Sequence, residues 1–167
     1  MRNLPFFLPE QDVGLNAIRI LAVIDSFTDG RVKKIDIENV ALMVVLVRNP
    51  NFLKKVLLSA NEMKIYLKEY EDYSINSQVP VLNDIYKNRD TKKIVSALVN
   101  SGFLAFSLGE ENEVLLELTE SGKKIIEDHK SDYVERIKGY SKHLKFMRSK
   151  SVGVIHSAIN KVLKGQL

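Results

Sequence analysis

A mainly α fold with one small β-hairpin is what this sequence predicts, on three observations. Apolar residues recur at three- and four-residue steps through most of positions 1–73, the period of amphipathic helices. Residues 81–129 then read as short helix, helix, two apolar strands and helix, and 130–167 return to helical spacing. The middle succession is the order of parts of a winged helix-turn-helix, here with extra N-terminal and C-terminal helices. The expected organisation is a single domain over 1–167: an N-terminal helical part at 1–73, a winged-helix core with its wing at 81–129, and a basic C-terminal helical segment at 130–167.

The first helix rests on Leu15, Ile18, Ile20, Leu21, Ile24 and Phe27, with Asp29-Gly30 closing it. A short strand fits 32–35. Asp36 then stands where a side-chain oxygen accepts the first free amides of a helix, with Glu38 and Asn39 in the opening turn. That helix, running to about Arg48, is apolar nearly all round, so neighbours must cover several of its faces. Asn49-Pro50 ends it and opens a third helix, with Asn49 as cap, Pro50 at the first helical position, and Phe52, Leu53, Val56, Leu57 and Ala60 as its apolar face. Helical spacing continues over 61–73, and the Ser/Asn/Gln-rich run at 73–80 reads as a loop.

A short helix is expected over 81–86, and a second starts at Asp90 or Thr91 and stops at Ser101-Gly102, with the glycine in the left-handed conformation. FLAFSL and EVLLEL form a hairpin across GEEN, and Thr119, Glu120, Ser121 and Gly122 open the next helix. From Ser131 onward the chain reads as one long helix or two shorter ones. Tyr133, Val134, Ile137, Tyr140, Leu144 and Met147 lie on one stripe, and Gly153 is a candidate break.

The chain has 167 residues, 45% hydrophobic and 28% charged, which suits a folded globular protein. It has no cysteine, which excludes disulfides and thiolate metal sites and points to a cytoplasmic home. No apolar run approaches the roughly 20 residues of a bilayer span, so no membrane span is expected. Net charge is +4 but unevenly spread: residues 123–167 hold 11 Lys and Arg against 4 Asp and Glu, and residues 1–122 hold 14 against 17.

Arg89, Lys92 and Lys93 stand at the start of the helix that would read DNA in a winged helix, and Lys138, Lys142, Lys145 and Arg148 form a basic C-terminal face. These seven are the candidate DNA-binding residues. Against that reading, Glu110, Glu111 and Glu113 put carboxylates on the wing tip, where phosphate would be repelled. Leu4, Phe6, Phe7 and Leu8 are the candidate partner-binding residues, as an apolar patch at the N-terminus. Catalysis is not expected: no phosphate loop, dinucleotide turn, zinc-protease helix or nucleophile elbow occurs. His129, His143 and His156 are too far apart for a helical metal pair. No catalytic, cofactor-binding or metal-binding residue is therefore assigned, and no cofactor.

The runs AIRILAVIDSF and IDIENVALMVVLVRNPNFLKKVL, followed by a helix, a wing and an L-T-x-x-G segment, resemble the middle components of bacterial ABC-ATPase three-component systems. The Lamassu-type antiphage accessory subunit is one of these. The resemblance falls on Asp25, Asp36, Arg48, Asn49 and Pro50 in the first half and on Gly102, Phe103, Leu104, Thr119 and Gly122 in the second. Met43-Val44 stands where such sequences often carry Leu-Asp. The resemblance implies a non-catalytic subunit partnered by an SMC-like ABC ATPase and a nuclease-type effector, in antiphage or anti-plasmid defence, with double-stranded DNA as a further candidate partner. The competing expectation is a dimeric winged-helix transcription regulator, with the terminal helix as dimer interface.

Overall fold

The computed structural model describes residues 12–28, 34–60, 67, 89–145 and 152–165. Among these residues are seven helices and a three-stranded antiparallel sheet of order β1-β3-β2.

Helix α1 (Val13–Phe27) is capped by Asp12, whose side chain accepts from the Leu15 amide at 2.9 Å, and it closes where the Thr28 hydroxyl donates to the Ile24 carbonyl at 2.8 Å. The predicted stop at Asp29-Gly30 lies outside the described residues. Residues 20–24 are buried in an unbroken run, so this stretch of α1 is enclosed on every side, not along one stripe, and Asp25 after it is exposed. It packs against α6 (Asp132–His143) and also touches α2 (Ile37–Arg48), α4 (Arg89–Asn100), α5 (Glu120–Asp128) and the central strand β3 (Val114–Leu118). Arg19 is buried within this packing. Its Nη1 donates to Asn16 Oδ1 at 2.7 Å, and its guanidinium carbon lies 5.5 Å from the Tyr133 ring centroid.

Strand β1 (Ile35–Asp36) overlaps the predicted strand at Ile35 only. Ile35 stands opposite Leu116, and Asp36 opposite Leu115. Asp36 caps α2 as expected, accepting from the Asn39 amide at 2.9 Å. Residues 40–47 of α2 are all buried, which fits its apolar circumference.

Helix α3 (Pro50–Ser59) begins with proline at its first position, but Asn49 does not cap it. The Asn49 side chain turns back and donates to the Val45 carbonyl at 2.9 Å, satisfying the end of α2. Phe52, Leu53, Val56 and Leu57 are buried, and α3 packs against α7 (Val152–Leu163), whose Ile155, Ala158 and Ile159 are buried. Of the helix and loop expected over 61–86, only residue 67 is described: Leu67 is not helical and is half-buried against the core.

Helix α4 starts at Arg89, so Asp90 sits in its first turn instead of capping it. Its end is a Schellman motif: the Phe103 amide reaches the Leu98 carbonyl at 2.9 Å and the Gly102 amide reaches Val99 at 3.0 Å. Gly102 has φ +75°, the left-handed conformation this closure needs. Strand β2 (Leu104–Leu108) pairs with β3 in the register Leu104 to Leu118, Phe106 to Leu116 and Leu108 to Val114. The tip closes through the Gly109 amide to the Glu113 carbonyl at 2.9 Å and the Asn112 amide to the Gly109 carbonyl at 3.2 Å, with Asn112 left-handed at φ 61°.

The Leu-Thr-Glu-Ser-Gly segment has a mechanical role. The Thr119 hydroxyl accepts from the Gly122 amide at 3.1 Å and lies 2.8 and 3.0 Å from the carbonyls of Gly102 and Phe103. Gly122 comes so close to the Phe103 carbonyl that a Cβ there would stand 2.3 Å from its oxygen. Cap and close approach together fix the angle between the hairpin base and α5.

Among the described residues, the C-terminal segment has two α-helices. Helix α6 ends at His143 and α7 begins at Val152, so Gly153 lies inside α7 and does not break the helix. Val134, Ile137, Tyr140 and Leu144 are buried, as their stripe predicts, and Tyr133 is half-buried against the core. Met147 lies outside the described residues.

Candidate partner-binding surface

Helix α4 presents its polar face outward because only Val95 and Leu98 are buried, with Ile94 and Val99 half-buried. Arg89, Lys92 and Lys93 are all exposed, but two of the three are paired. Lys92 forms an ion pair with Glu38 in the first turn of α2, and Lys93 lies 3.6 Å from Asp90 one turn back on its own helix. Both pairs are exposed, so each is worth on the order of 0–1 kcal/mol. They lower the net positive potential at the start of α4 without removing either cation from solvent.

The basic C-terminal face is more scattered. Lys142 and Lys145 are exposed, whereas Lys138 is half-buried and bonded to Glu135 at 3.1 Å. Burial holds the His143 pKa below the ordinary histidine range, so this ring adds no charge to the face at neutral pH. Arg148 and the Leu4, Phe6, Phe7 and Leu8 patch lie outside the described residues.

Two of the exposed large apolar side chains among the described residues belong to the hairpin. Leu104 is buried, but Phe106 and Leu108, on the same face of β2, are 61% and 65% exposed. Beyond them Glu110, Glu111 and Glu113 are exposed, and among the described residues no cation pairs with any of them. The Lys34 ammonium donates to the Ser107 hydroxyl at 2.9 Å on the opposite face of the sheet. The wing-tip glutamates are legible in the sequence, and the exposure of Phe106 and Leu108 is not. The alternation of Leu104, Phe106 and Leu108 was legible as one face, but its reach beyond the core was not.

Among the described residues, no group of three His, Asp or Glu side chains is arranged to hold a metal ion, and no helix is long and apolar enough to cross a membrane. A family model described as ABC-three component (ABC-3C) system Middle Component 4 matches residues 26–157, well over half of the chain. It takes in everything from the end of α1 to the first half of α7. Searches of curated proteins and of solved structures found no significant match.

Proposed function

Because the chain belongs to the Middle Component 4 family of ABC-three component systems, we propose that it is a non-catalytic accessory subunit that docks protein partners through a winged-helix unit. The partners in this reading are an SMC-like ABC ATPase and a nuclease-type effector of a Lamassu-type antiphage or anti-plasmid system. ATP hydrolysis and DNA cleavage belong to those partners.

The winged-helix reading is supported by the element order α1, β1, α2, α4, β2, β3, with β3 central in the sheet. That order is compatible with a winged helix in which α3 and the residues after it stand as an insertion between the second and third helices. The unit so defined draws on α1, β1 and α2 as well as on 89–129.

The observation that carries docking over DNA reading is the chemistry of the wing. Two exposed apolar side chains followed by three carboxylates that no cation pairs with among the described residues are poorly suited to phosphate and well suited to protein. The paired state of Lys92 and Lys93 points the same way.

Two measurements test the reading. Tagged protein expressed with the other components of its system should co-purify with the ATPase. Recovery of a homodimer alone that shifts its own promoter DNA at moderate salt would overturn the reading in favour of a transcription regulator. Changing Lys92→Glu and Lys93→Glu should leave assembly intact, whereas a regulator would lose DNA binding.

A further inference from the structure

We propose that the outer edge of β2 is a strand-addition site for an extended segment of a partner protein, one with alternate apolar side chains and Lys or Arg at the end beside the wing tip. The proposal rests on the accessory-subunit reading and adds to it the place and manner of contact.

Three observations carry it. The first is the phase of the hydrogen-bond ladder. The sheet order leaves β2 at the edge, and the Thr119 amide to Phe103 carbonyl and Gly109 amide to Glu113 carbonyl bonds mark residues 103 and 109 as facing β3. By alternation, 105 and 107 also face β3, and residues 104, 106 and 108 aim their N–H and C=O groups outward. Leu104 is buried, so Phe106 and Leu108 are where a new strand can reach the backbone.

The second observation is that, among the described residues, this edge carries none of the usual guards on the face of Phe106 and Leu108; Lys34 reaches Ser107 from the opposite face. Natural edge strands are protected by lysine, proline, a bulge or a covering element, yet Leu-Ala-Phe-Ser-Leu has neither charge nor proline and its outer half is open. Cross-strand neighbours on one face of a sheet interact directly, so Phe106 and Leu108 would pack against apolar side chains of an added strand.

The third observation gives the partner its charge. An added strand that continues past Leu108 meets Glu110, Glu111 and Glu113, and cations at that end would complement them. A second copy pairing edge to edge in antiparallel fashion would bring its own hairpin base, Ser101-Gly102-Phe103, to the tip, and that stretch has no cation.

The test uses the full chain co-expressed with the other components of its system. A photo-crosslinking p-benzoylphenylalanine at position 106 should join to one partner-protein segment with alternating apolar residues and adjacent Lys or Arg, located by mass spectrometry. Phe106→Pro and Leu108→Pro each remove an outward N–H without taking a bond from β3, and Phe106→Lys installs an edge guard. Each of these, and the combined change of Glu110, Glu111 and Glu113 to Lys, should reduce partner capture by about tenfold or more. Thermal melts identify any variant that fails to fold, and Phe106→Lys keeps the test decisive if the prolines do.

Crosslinks to a second copy, to DNA or to residues 1–11 of the same chain would overturn the proposal. Undiminished capture of folded edge variants would overturn the edge site alone and leave the accessory-subunit reading standing. A wild-type chain that captures no component would overturn both.

Discussion

The two ends of the β2–β3 hairpin are built from the same pair of strands and have opposite surroundings. At the base, Leu104 and Leu118 are buried, and Gly102, Thr119 and Gly122 tie the strands to α4 and α5 through short hydrogen bonds and a close backbone approach. At the tip, Phe106 and Leu108 face solvent, and the loop is held by its own backbone and by the Glu113 carboxylate accepting from the Glu111 amide at 2.9 Å. The difference shows where folding free energy resides. The base anchors the sheet to the helical core, and the tip projects beyond it without contributing comparable burial.

The contrast can be broken first at Leu116, which lies between β1 and β2 on the buried face and is fully enclosed. Leu116→Ala should cost about 2–5 kcal/mol, the range for emptying a buried leucine site. Urea denaturation of the two proteins checks it. Its opposite neighbour Phe106 is a larger side chain at the same level of the sheet, so the difference between the two positions is one of strand order. A central strand is covered from both sides and an edge strand is not.

Next comes Gly122→Ala, because the added methyl must displace the Phe103 carbonyl, which is backbone and cannot swing aside. A cost of about 1–3 kcal/mol is expected, typical of overpacking. Hydrogen exchange should show faster exchange at the hairpin base and in the first turn of α5, with α3 and α7 unaffected. Thr119→Val keeps the shape of the side chain and removes its oxygen, so the Gly122 amide loses its acceptor. The loss of that cap should cost about 1 kcal/mol, read in the same denaturation series.

Local chemistry made much of this legible in the sequence. Asp36 as a cap, Gly102 as a left-handed stop and the strands either side of GEEN depend on neighbours within a few residues, and the structure has all three. What escaped depended on long-range partners or on competition between acceptors. A short strand at 32–35 was legible and overlaps β1 at Ile35, but its pairing with Leu116, about half the chain away, was not. Lys92 meets Glu38 on another helix, so its ion pair could not be read from the spacing of charges along α4. Asn49 had two helix ends to serve, and its side chain went to the carbonyl end of α2. The paired state of the α4 lysines and the open edge of β2 belong to the same long-range category, which is why the sequence directed attention to cations and the structure directs it to the wing.

The smallest stability effect is expected at the tip. Phe106→Ser replaces a side chain that is 61% exposed, so little apolar surface returns to water on unfolding, and the ladder to β3 keeps its full set of backbone bonds. The change should move the unfolding free energy by no more than about 0.5 kcal/mol, as at other surface positions. A loss comparable to that of Leu116→Ala would mean that Phe106 is packed in solution, closing the open edge against the chain itself. Near-neutral stability would separate the two ends of the hairpin by function: a base that holds the fold, and a tip whose apolar exposure has no role in folding and is free to serve contact with a partner.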